Sequence, residues 1–239
     1  MNKHKKDFAE GLRGGIPIAL GYFSVSFSFG MLCVSKGVPL LSALFTSMTN
    51  VTSAGQAAGL LIMAAFGSFI ELALCQFIIN LRYALMSLTI SQRLDSSVSL
   101  GDRFFIAFGI TDEIFAVMAS RKEPVTKSLF AGLFLLPYFG WALGTLFGAL
   151  FGNMMPANIT AVLGIALYGM FIAIIIPPAR EDKAILICIL LAAIMSCIIY
   201  FVPLFSFISS GTSVIICAVA ASAICAALFP IKKEGEKNE

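Results

Sequence analysis

The chain has 239 residues, 59% of them hydrophobic and only 12% charged, with a formal net charge of +3. Soluble domains carry roughly 25% charged residues, so a water-soluble fold of this length is excluded. With every basic residue except Arg82 in tails and loops, a nucleic-acid-binding role has no support.

The apolar residues gather in blocks of 17 to 27, long enough to cross a hydrocarbon core of about 30 Å at 1.5 Å per residue. They lack the period-two alternation of a membrane barrel, and helices satisfy their own backbone groups in lipid. The expected fold is all-α: a polytopic transmembrane helical bundle of about 7–8 segments, some broken or re-entrant. Residues 1–13 form a polar, basic N-tail, 14–230 a single transmembrane domain, and 231–239 a charged C-tail.

In chain order, the first span runs from about Gly15 to Val34 and lacks the small-residue cleavage site of a signal peptide. The second block, Leu40–Phe66, is interrupted near its middle by Thr49-Asn50-Val51-Thr52-Ser53-Ala54-Gly55-Gln56. The third, about Phe69–Ile90, contains Glu71, Gln76, Asn80 and Arg82. A polar loop, Ser91–Arg103, leads to a short fourth block, Phe104–Ser120, which carries Thr111, Asp112 and Glu113. Four cleaner spans follow, at about Leu129–Phe151, Ile159–Ile176, Ala184–Phe201 and Thr212–Phe229. Gly140, Gly144 and Gly148 repeat every four residues, as a helix-packing ridge does. The second half reads as scaffold.

The positive-inside rule puts the N-tail, the Arg121/Lys122/Lys127 loop, the Arg180/Lys183 loop and the Lys232/Lys233/Lys237 tail in the cytoplasm. Eight full crossings satisfy this but leave the Arg93/Arg103 loop on the opposite side. Re-entrant or broken second and fourth blocks would return it. Both topologies stay open at this point.

The six cysteines all sit in apolar blocks and read as small buried hydrophobes. The only histidine, His4, lies in the tail, which argues against His-dependent catalysis, a metal centre or a cofactor. No G-x-x-x-x-G-K-[ST] phosphate loop is present, and an enzyme is not expected.

Charges at bilayer depth cost from about 2.5 kcal/mol upward, and sequences keep them where they pair, line water or bind something. Arg82 lies roughly 20 Å along its helix from Phe69. Asp112 and Glu113 point about 100° apart, so one faces a cavity while the other pairs with a neighbour, for which Arg82 is the evident partner. An Arg fork receives a carboxylate; a carboxylate carries a proton or meets an ammonium group. A broken helix presents free N–H groups to anionic ligand groups, which gives the interrupted second block the same character. The expected substrate and proton pathway is thus Asn50, Thr52, Ser53, Gly55, Gln56, Asn80, Arg82, Asp112 and Glu113.

The ordered set Gly14-Gly15-Ile16-Pro17 with Gly21-Tyr22, Thr52-Ser53-Ala54-Gly55-Gln56, Asn80-Leu81-Arg82 and Thr111-Asp112-Glu113 resembles the AzlC-type large subunit of branched-chain amino-acid exporters. The resemblance spans nearly the whole chain. It implies a multi-pass transporter of the bacterial inner membrane, with cytoplasmic termini, that works with a small hydrophobic AzlD-type partner. Its implied cargo is leucine, isoleucine, valine and related neutral amino acids, exported by proton antiport. The alternative reading is the permease subunit of an ATP-driven transporter for small polar or amphipathic solutes.

Overall fold

A computed structural model of the chain describes residues 3–154, 172 and 175–230. It forms two compact units, Met1–Leu60 with Ile79–Tyr168 and Leu61–Ile78 with Gly169–Glu239. Among the described residues the regular structure is helical, apart from one isolated bridge between Leu94 and Val125. Among the described residues, five helices are long and apolar enough to cross a membrane. The span expected at Ile159–Ile176 lies almost wholly outside the described residues, as does the 231–239 tail.

The first unit is built on two long helices, α1 (Lys3–Ser35) and α7 (Lys127–Phe151). They run parallel: Asp7 meets Thr126 at one end, Tyr22 meets Trp141 midway, and Met31 meets Gly152 at the other. Glycines let the two backbones touch. A Cβ added at Gly140 would stand 2.6 Å from the carbonyl oxygen of Ala19, and one at Gly15 would stand 2.8 Å from that of Leu133. Gly144 and Gly148 face the carbonyls of Phe23 and Phe27 in the same way. The four-residue glycine repeat is therefore the packing ridge it was read as.

Between these helices the chain makes two half-crossings. α2 (Leu40–Thr49) and α3 (Ala54–Ala64) have 10 and 11 residues, about 15 Å each, half of the hydrocarbon thickness. Ala43 of α2 and Leu60 of α3 both pack on Phe29 and Cys33 near the C-terminal end of α1. Val51, between them, packs instead on Tyr22 and Trp141 at mid-helix. The pair is a re-entrant hairpin whose tip stops midway. The tip is strained: Ser53 has φ +47°, in the left-handed region that costs a non-glycine residue energy.

The fourth block repeats this plan in the opposite direction. α4 (Phe69–Ser91) brings Ile90 to the N-terminal end of α7, into one cluster with Val98, Val125 and Leu129. α5 (Leu100–Phe108) and α6 (Asp112–Ser120) then form a second hairpin, broken at Gly109-Ile110-Thr111. Gly109 lets its tip press on α7, where a Cβ would meet the rings of Phe130 and Phe134 at 2.7 Å. Each break carries a threonine, Thr52 in the first and the N-cap Thr111 in the second.

This arrangement decides between the two topologies. Arg93 Nη1 donates to the carbonyls of Ala119 (2.6 Å) and Arg121 (3.1 Å), and Lys3 lies 3.9 Å from Asp95. Arg121 pairs with Glu10, and Lys127 with Asp102. The Arg93/Arg103 loop thus shares one end of the unit with the N-tail and the Arg121 loop, which fits the second of the two topologies left open, with re-entrant second and fourth blocks. Asp95 and Asp102 lie outside the spans and titrate below the ordinary carboxylate range. Asp95 is lowered chiefly by the hydroxyl of Ser97 and Asp102 chiefly by its hydrogen bond with Lys127.

In the second unit, α8 (Lys183–Phe201) and α9 (Ser210–Leu228) are joined through the short turn Pro203–Phe205. Glu71 closes the N-terminus of α9, accepting from Ser209 Oγ and from the Thr212 amide at 3.2 Å, where a carboxylate complements the helix dipole. That contact gives one intramembrane charge a partner at a helix start. The cysteines only partly follow expectation: Cys33, Cys75, Cys217 and Cys225 are buried, whereas Cys197 is exposed, as a thiol on a lipid-facing helix is.

Candidate functional site

Both hairpin tips of the first unit meet at Tyr22. This residue sits midway along α1, only 5% exposed, with its ring edge-on to Trp141 at 5.2 Å between centroids. Val51 at the first tip packs on the same two rings. From the second tip, Glu113 accepts the Tyr22 hydroxyl at 2.5 Å.

The second tip carries its acids because of how α6 begins. Thr111 is the N-cap, its Oγ1 accepting from the Ile114 amide, and Asp112 and Glu113 occupy the first turn, where the helix N-terminus favours negative charge. The two side chains diverge, as adjacent helical positions must. Asp112 Oδ2 lies 2.9 Å from Arg82 Nη1, while Glu113 turns to Tyr22. Arg82 also donates to the Tyr83 hydroxyl at 3.2 Å and lies 4.9 Å from the centre of that ring. Its Nε finds no acceptor among the described residues. Asn80 lies two positions earlier on α4 with its amide oxygen buried.

The first tip is tied to α7 by a buried polar chain. Gln56 is 1% exposed; its Oε1 accepts from Trp141 Nε1 at 3.0 Å and its Nε2 donates to Ser47 at 2.7 Å. Ser47 in turn shares a 2.6 Å hydrogen bond with Thr145. Both ends of the amide are therefore engaged, and Gln56 acts as a tether. Thr52 donates to Asn50 Oδ1 at 2.6 Å, closing the turn on itself. The Gly55 amide reaches the Thr52 carbonyl at 3.2 Å, and Tyr138 adds a bond to the Met48 carbonyl at 3.1 Å.

Of the residues expected to form a pathway, Arg82, Asp112 and Glu113 come together at the second tip. Asn50, Thr52, Ser53, Gly55 and Gln56 form the first. Tyr22, Trp141, Ser47 and Thr145 received no role from sequence reasoning. The available signal was the polar handle on an aromatic residue inside an apolar span, which must find a partner when buried.

The pattern of the family described as AzlC protein matches residues 17–155, from the middle of α1 to the end of α7. The chain belongs to the AzlC family. The matched stretch contains both hairpins and every residue of the site. An uncharacterized membrane protein of Archaeoglobus fulgidus is 30% identical over 172 residues, 71% of this chain and 75% of its own length. Inner membrane protein YgaZ of Escherichia coli is 25% identical over 186 residues, 74% of this chain and 76% of its own length. An uncharacterized membrane protein of Helicobacter pylori is 28% identical over 156 residues, 64% and 68% respectively. No solved structure matches.

Proposed function

We propose that this AzlC-family chain is the large subunit of an exporter for branched-chain or related neutral amino acids, driven by proton antiport. The observation that carries the reading is the charge balance between the hairpin tips. Arg82 and Asp112 neutralise each other, which leaves Glu113 facing a neutral phenol: one cation against two carboxylates, a surplus of one negative charge. An uncompensated charge at bilayer depth costs about 2.5 kcal/mol or more. A proton on Glu113 removes that cost, and so does the ammonium group of a substrate. Competition between the two for one carboxylate is the chemistry of antiport.

The substrate's carboxylate has an address in the guanidinium of Arg82, through its planar fork. Hairpins that enter from opposite ends suit alternating access, each tip being the inner edge of one gate. The partner is a small AzlD-type membrane subunit, the cell membrane of a bacterium is the site of action, and both termini face the cytoplasm.

The test is efflux of labelled leucine, valine and polar control amino acids from proteoliposomes under an imposed pH gradient, with and without a co-reconstituted small subunit. Gradient-driven efflux confined to neutral aliphatic amino acids supports the reading. Efflux that requires ATP, or none at all with the small subunit present, overturns it.

A further inference from the structure

The α5–α6 hairpin is held on its inner side by α7, and on its outer side it forms one wall of a cavity of about 230 Å³. The opposite wall is the last turns of α4, with Ser87, Ile90 and Ser91, and the floor at the loop end is Leu94 and Leu100. The cavity follows α5 from Arg103 to Ala107 and reaches Ile110 in the break from which Asp112 and Glu113 project. Its walls are almost wholly apolar, and Phe104 beside it is 72% exposed.

One charged residue breaks that pattern. Arg103 stands at the mouth, at the end of the unit that carries Lys3, Arg93 and Arg121. The acids around it are already taken. Asp102 is engaged by Lys127 and Ser99, and Asp95 by Ser97 and Lys3. Among the described residues the Arg103 side chain has no ion pair. An apolar slot of acyl-chain width at membrane depth, with an unneutralised guanidinium at its interfacial mouth, is complementary to one class of molecule.

We propose that this groove binds an anionic phospholipid, with an acyl chain between α4 and α5 and the headgroup phosphate on Arg103. Discrimination comes from the mouth, because bulk lipid tails are as apolar as the groove, whereas a guanidinium grips a phosphate bidentately and anionic headgroups collect at basic surfaces. The bound lipid fills the face of the hairpin that α7 leaves open, and so stiffens the element that positions Asp112 and Glu113. This inference does not depend on the identity of the transported solute.

The test uses the full chain, purified and stripped of lipid, then exposed to phosphatidylglycerol or phosphatidylcholine. Retained lipid is counted by native mass spectrometry and thermal unfolding is followed in parallel. The wild type should keep one phosphatidylglycerol per chain and melt several degrees higher with it than with phosphatidylcholine. Arg103→Gln should lower retention several-fold, and Ala107→Phe, which fills the slot from a lipid-facing position, should do the same with the charge intact. Lys6→Gln, an equal loss of charge elsewhere at this end, should behave as wild type. Equal retention by wild type, Arg103→Gln and Ala107→Phe would overturn the site. So would an equal thermal shift from soluble glycerol phosphate, which would mean a headgroup contact without a seated chain.

Discussion

Tyr22 and Glu113, 91 positions apart, are joined by a 2.5 Å hydrogen bond in which the phenol donates to the carboxylate. That bond links the long helix α1 to the acidic tip of the second hairpin, and the Tyr22 ring also packs against Val51 of the first tip. On the proposed antiport reading, a proton arriving on Glu113 would change what the Tyr22 hydroxyl faces, and Tyr22 would carry that change toward the first hairpin.

Tyr22→Phe keeps the ring between Trp141 and Val51 and removes only the hydroxyl. Hydrogen bonds to charged groups contribute about 1.5–3 kcal/mol, so the variant should fold, melt measurably lower, and transport with an altered dependence on pH. A pH profile identical to wild type in matched proteoliposomes would show that the bond has no part in coupling.

Gln56→Leu should leave Trp141 Nε1 and the Ser47 hydroxyl without their buried partner, at a cost of about 1–3 kcal/mol. Trp141 is the only tryptophan, so its fluorescence reports on the tether directly. The expected result is lower stability with a red-shifted emission. An unshifted spectrum and unchanged unfolding midpoint would mean that the first hairpin is held by packing alone.

Much of this was legible in the sequence, for physical reasons. Block length and the cost of charge in lipid were enough to indicate a helical bundle, to single out Arg82, Asp112 and Glu113, and to mark a break in the second block. The structure places that break at Asn50–Ser53 rather than Thr52–Gln56, the last three residues of that stretch being helical. Divergence of Asp112 and Glu113 followed from helical geometry, which left open which of them meets Arg82; the structure pairs it with Asp112. The direction of the hairpins was not legible, because a break in hydropathy looks the same whether the chain goes on across the membrane or turns back. Nor were Tyr22 and Trp141, whose partners come from elsewhere in the chain. The partner of Glu71 was hidden for the same reason: it lies at the start of α9, and nothing near Glu71 in sequence says so.

The glycine ridge gives a sharp contrast. Gly140→Val would drive a side chain into the backbone of Ala19, whereas a Cβ at Gly21 has nothing within 4 Å. Gly140→Val should abolish monodisperse protein in detergent, and Gly21→Val should leave yield and elution unchanged. Equal tolerance at both positions would contradict the close α1–α7 packing.

Topology can be read with single cysteines in a background lacking the native six. Ser97→Cys and Lys5→Cys should react with an impermeant thiol reagent from the same side of the membrane, and Lys36→Cys from the other. Labelling of Ser97→Cys together with Lys36→Cys would restore the full-crossing path and dissolve the second hairpin.

The most direct test compares Glu113→Gln with Asp112→Asn. Each is assayed for pH-gradient-driven efflux and for gradient-free exchange of labelled leucine in proteoliposomes. Glu113→Gln should lose gradient-driven efflux while keeping exchange, since the proton carrier is gone but a neutral side chain still occupies its place. Asp112→Asn leaves Arg82 without its counter-ion and should impair both. Gradient-driven efflux at the wild-type rate in Glu113→Gln would contradict the account at its centre.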